Sequence, residues 1–140
     1  MASIRREVSI AVSPDTLWDA LKDVGALHTR LVKGFVTDCR LEGDARIVTF
    51  ANGIVARELI VTVDDVDRRV VWSAVGGRLT HHNASAQVFD EGSARCRLVW
   101  IADLLPDELA PMIAGMIDQG TAAMKRTMEG AATAQAGGST

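Results

Sequence analysis

Apolar and polar positions alternate strictly where the chain begins. Ile4, Val8, Ile10 and Val12 share one face, and Arg5, Glu7 and Ser9 share the other. Period two is the signature of a strand buried on one side. Ser13-Pro14-Asp15 then supplies a helix N-cap, a proline at the first helical position and an acid in the first turn. Leu17, Trp18 and Leu21 give that helix its apolar stripe. Gly25 ends it, and Leu27 and Leu31 predict a second short helix.

From Phe35 the period returns to two. The alternation predicts strands over residues 35–41, 46–50, 54–63, 69–74, 79–89 and 94–103, separated by Asn52-Gly53, Asp64-Asp65-Val66-Asp67, Gly76-Gly77 and Asp90-Glu91-Gly92-Ser93. Turns this short force antiparallel pairing, because parallel pairing needs a long crossover. The last segment changes period again. Leu109, Met112, Ile113, Met116, Ile117, Gly120, Met124 and Met128 recur at helical spacing. Asp107 and Glu108 open this helix, Pro111 falls in its first turn, and Lys125-Arg126 sit near its end, matching the macrodipole.

One strand, two short helices, six strands and one long amphipathic helix imply an α+β fold. In it a curved seven-stranded antiparallel sheet wraps around the C-terminal helix, the one element available to cover it. A single helix leaves part of the concavity unfilled. A pocket of roughly 300 Å³ or more is the expected consequence.

Composition narrows the class without naming a chemistry. The 140 residues are enough for one core, placed over residues 1–130, with the small polar residues 131–140 expected to form a disordered tail. Net charge is −3 with acids and bases interspersed, which leaves no electrostatic footprint for nucleic acid. Apolar runs fall short of the about 20 residues a membrane span needs, and no signal-peptide pattern opens the chain, so a cytoplasmic location is expected. Cys39 and Cys96 sit in strand alternation and read as small core residues. The oligomeric state is left open.

Strand parity predicts the pocket wall. Cys96, Leu98, Trp100 and Ala102 share one face of the last strand, and Thr80, His82, Ala84, Ala86 and Val88 share one face of the strand before it. Small Ala84 and Ala86 leave space beneath the helix. From the helix, Met112, Met116, Gly120 and Met124 complete the predicted lining, the methionines offering a wall that adapts its shape.

The order of elements and four stretches of sequence resemble the helix-grip superfamily of START and Bet v 1-like (SRPBCC) domains. The stretches are Ser13-Pro14-Asp15-Thr16-Leu17-Trp18, Arg57-Glu58-Leu59-Ile60, Arg69-Val70-Val71-Trp72-Ser73, and Leu98-Val99-Trp100 running into Leu105-Pro106-Asp107-Glu108-Leu109. Within the superfamily the chain is most similar to bacterial polyketide cyclase/dehydrase and lipid-transport-like proteins. The resemblance implies that Val70, Trp72 and Ala74 point inward together with Glu58 and Ile60, although Leu59, Val61 and Val63 form the more apolar set of that strand. It departs from many relatives in lacking a tryptophan near Ala26-Leu27-His28-Thr29-Arg30, and it has no tyrosine.

Glu58 and His82 are then the candidates for polar chemistry in the cavity, since a buried carboxylate and a nearby histidine can share a proton. The adjacent His81 and His82 point to opposite faces of a strand, so neither a metal nor a cofactor is implied. His28 reads as a surface or helix-end residue. Three uses of the domain follow: binding a small hydrophobic or aromatic molecule, lipid- or polyketide-like; a cyclase or dehydratase with Glu58 and His82 as acid and base; or a protein-interaction module without a ligand.

Overall fold

The chain runs β1 (Ala2–Ile10), α1 (Pro14–Lys22), a π-helical turn (Leu27–Leu31), β2 (Val36–Glu42), β3 (Ala45–Phe50), β4 (Val55–Asp64), β5 (Arg69–Val75), β6 (His81–Asp90), β7 (Cys96–Leu105), a 3-10 turn (Asp107–Leu109) and α2 (Ala110–Gly138). This is a computed structural model that describes residues 1–138, with side chains through residue 131. Most of the segment expected as a tail therefore has no described side chains, and residues 139–140 lie outside the described residues.

All seven strands form one antiparallel sheet in the order β1-β7-β6-β5-β4-β3-β2. The first strand thus pairs with the last, and the connection through α1 and the π turn carries the chain to the opposite edge. Ser13 caps α1 by accepting a hydrogen bond from the Thr16 amide at 3.1 Å, and Pro14 opens the helix. The expected second short helix is a single wide turn: the Val32 amide reaches back five residues to Leu27 O at 2.9 Å, and Leu27 and Leu31 are both buried. Pro111 is the second residue of α2, where its missing N–H costs nothing.

The concave face of the sheet carries the core. Ile10, Leu17, Leu98 and Leu104 are among its fully buried side chains. In β4 the inward set is Glu58 and Ile60, while Val61 and Val63 are exposed despite their greater hydrophobicity. Register accounts for the inward pair: Glu58 pairs with Ala74 and Ile60 with Trp72, and a bulge at Val61 follows before Thr62 pairs with Val71. No described helix is long and apolar enough to cross a membrane.

Candidate ligand site

A cavity of about 390 Å³ lies between the concave face and α2. Its floor comes from β5, β6 and β7 through Val70, Trp72, Ala84, Ala86, Trp100 and Ala102. Met112, Ile113, Met116, Ile117 and Met124 roof it from α2, and Leu21, Leu27 and Leu31 close one side. Two aromatic pairs stiffen the wall. Trp72 and Trp100 meet edge to face with centroids 5.9 Å apart, and Phe35 and Phe50 do so at 5.3 Å. The mouth is rimmed by exposed Ile54, Val55, Val75 and Met112 and by the loop Gly76-Gly77-Arg78. Gly76 and Gly77 both hold positive φ, at 91° and 64°, a conformation that suits glycine.

Five predicted wall residues stand elsewhere, two of them, Val88 and Cys96, buried in packed core without contact with the void. Thr80 is exposed: β6 begins only at His81, so the alternation does not extend to residue 80, and Leu79 lines the void in its place. Leu98 shares a face with Trp100 but is fully buried in packed core and has no contact with the void. Gly120 is a contact point between helix and sheet. A Cβ there would lie 2.8 Å from Trp100 Cζ3 and 3.2 Å from Phe35 Cε2, so glycine is what allows α2 to approach Trp100.

The polar groups of the cavity converge from three strands. Arg46 on β3 and Glu58 on β4 are directly paired across the strands, and both are buried. Arg46 Nε donates to Glu58 Oε1 at 2.7 Å, Nη1 donates to Val24 O at 3.3 Å, and the guanidinium lies 5.2 Å from the Trp72 ring centroid. Sequence reasoning missed Arg46. The signal was present, because Arg46 alternates with Val48 and Phe50 on the inward face of its strand.

His82 is held by an irregularity in the sheet. The β5–β6 ladder ends at Trp72 and Ala84, whereas β6 stays paired with β7 back to His81. In the resulting gap the Ala74 amide donates to His82 Nδ1 at 2.9 Å, and Ser73 Oγ donates to the His82 carbonyl at 2.5 Å. With Nδ1 accepting, the ring proton sits on Nε2. Burial pushes the imidazole below its ordinary pKa, and the nearby Glu58 carboxylate opposes that only in part. His82 is therefore neutral at neutral pH. Glu58 and His82 do face one cavity, but each is held by another partner.

The cysteines take no part in this site. Both are buried, and burial pushes their thiols up, Cys96 to about 11, so neither is a thiolate at neutral pH. His28 sits at the start of the π turn, the helix-end alternative of the expectation, half-buried and with Nδ1 enclosed and unbonded.

A bent antiparallel sheet gripping one long helix over an apolar cavity defines the helix-grip class. Residues 1–129 match the family model described as polyketide cyclase / dehydrase and lipid transport, and the chain belongs to that family. A crystallised protein from Bacillus thuringiensis is similar with a TM-score of 0.81 at 18% identity, covering 91% of this chain and 98% of that one. A START superfamily protein from Mycobacterium smegmatis is similar with a TM-score of 0.71 at 13% identity, covering 91% and 94%. Norcoclaurine synthase of Thalictrum flavum, solved with dopamine and hydroxybenzaldehyde, has a TM-score of 0.67 at 20% identity, covering 89% and 84%. At these identities the likeness is one of fold. No curated protein matches the chain.

Proposed function

We propose that the protein binds one small hydrophobic or aromatic molecule, lipid- or polyketide-like, in the cavity between the sheet and α2. The observation that carries this reading is the 390 Å³ void itself, walled by Trp72, Trp100 and a run of helix methionines. A packed domain interior leaves few voids larger than a water molecule, so one of this size argues for an occupant. Binding draws its energy from desolvating the ligand against these rings and thioethers, and the polar cluster fixes orientation. Norcoclaurine synthase, which shares the fold, was solved with two small aromatic molecules, dopamine and hydroxybenzaldehyde.

Acid–base catalysis by Glu58 and His82 draws less support from the same geometry. Arg46 occupies Glu58 Oε1, and the Ala74 amide occupies the one basic nitrogen of His82. An interaction module without a ligand would favour a filled interior. Titration with the neutral dye N-phenyl-1-naphthylamine tests the binding reading. Saturable one-to-one fluorescence enhancement is expected, weakened about tenfold by Ala84→Leu, which fills the void. No enhancement, or enhancement indifferent to Ala84→Leu, would overturn it.

A further inference from the structure

The polar end of the cavity has a composition that selects among ligands. Arg46, Glu58 and His82 all line the void, and each has one polar atom left over after its bonds within the protein. These are Arg46 Nη2 and His82 Nε2, both donors, and Glu58 Oε2, an acceptor. Among the described residues, the polar side-chain atoms sealed in without a partner are His28 Nδ1 and Arg97 Nε. The three leftover atoms are not among them, and the residues that carry them line the void.

The formal charge of this cluster sums to nothing. The guanidinium is matched by the carboxylate that it touches, and the histidine is neutral. A ligand carboxylate brought here would be an additional buried anion beside Glu58, with no unmatched cation to meet it. Burying a charge without a partner costs far more than burying a hydrogen-bonded neutral group. A hydroxyl or primary amide suits the same atoms well. Its oxygen accepts from Nη2 and Nε2, and its O–H or N–H donates to Oε2.

We propose that the ligand presents an uncharged oxygen-bearing group, a hydroxyl or amide-like carbonyl, to the Arg46–Glu58–His82 cluster, and that carboxylates of the same shape are excluded. The inference rests on the cavity being the binding site. It adds the chemical class of the occupant.

Calorimetric titration at pH 7.5 with four probes of one shape tests it: 2-ethylnaphthalene, 2-naphthol, 2-naphthamide and 2-naphthoate. The naphthol and the amide are expected to bind at least tenfold more tightly than the naphthoate. A second arm uses His82→Asn, whose side-chain oxygen can still accept from the Ala74 amide while the Nε2 donor is withdrawn. That variant is expected to lose about fivefold in naphthol affinity, the scale of one neutral hydrogen bond, and to bind 2-ethylnaphthalene as before. Naphthoate binding as tightly as naphthamide would overturn the proposal. So would His82→Asn retaining full naphthol affinity, or 2-ethylnaphthalene binding while both neutral polar probes fail. If none of the four binds, the cavity reading fails and the ligand class falls with it.

Discussion

The two halves of α2 carry the same apolar spacing and do different work. In the first half, Met112, Ile113, Met116 and Ile117 face the void, and Met112 is 46% exposed at its mouth. In the second half, Ala123, Met124, Thr127 and Met128 are buried, with Met124 alone of these also reaching the cavity. Polar bonds sit with the packed half. Lys125 Nζ donates to Ser9 O at 2.9 Å, the Ala11 amide donates to Glu129 Oε2 at 2.9 Å, and the Lys33 amide donates to Thr127 Oγ1 at 3.1 Å. Arg6 pairs with Asp118 at 2.6 Å, close to where the two halves meet at Gly120. The contrast teaches that the helix is anchored at one end so that its other end can stand over an incompletely filled space.

Substitutions can break or sharpen that contrast. The largest effect is expected at the polar end of the void. Glu58→Gln leaves the Arg46 guanidinium buried without its counter-charge and should cost about 3 kcal/mol, or about 10 °C in Tm by calorimetry. Arg46→Met combined with Glu58→Leu removes both charges and should recover most of that loss.

Overpacking distinguishes the two halves directly. Ala123 is 1% exposed and lies away from the void, so Ala123→Leu should cost about 1–3 kcal/mol in urea unfolding. Ala84 is equally buried but faces the void, and Ala84→Leu should cost less than about 1 kcal/mol because the new atoms have room. Similar costs at the two sites would mean that the space is not there.

A pH effect of smaller size follows from His82. Its folded-state pKa lies below the ordinary value, chiefly through burial, with His81 adding to the depression and Glu58 and Asp103 opposing it. Below pH 6.5 the unfolded chain therefore binds a proton that the folded chain refuses, and stability should decline as pH falls through that window. His82→Asn should flatten the decline between about pH 6.5 and the lower folded pKa. The smallest effect belongs to the surface: Asp118→Asn, which loosens one exposed ion pair to Arg6, should change stability by less than about 1 kcal/mol.

Most of the architecture was legible in period alone. The switch from helical spacing to alternation at Phe35, and back at Leu109, marks the sheet and its covering helix. The site was legible where alternation holds, as at Ala84, Ala86 and Trp100. It was not legible at Thr80, where the strand has not yet begun, or at Leu98, where an inward face does not say whether a void or a packed core lies beyond it. Alternation with Val48 and Phe50 puts Arg46 on an inward face, but the partner that makes its burial tolerable, Glu58, appears only with the β3–β4 register. The helix stripe has the same limit. Its spacing predicts the buried face but not which half of that face meets empty space.

The central claim is that the void over the first half of α2 receives a ligand, and the five methionines report on it. Methyl NMR of the 13C-methionine-labelled protein, titrated with N-phenyl-1-naphthylamine, reads each position separately. The account predicts large shifts at Met112, Met116 and Met124, which line the cavity, and none at Met1 or Met128, which do not. Shifts confined to Met1 and Met128, or no shift at any methionine on saturation, would contradict it.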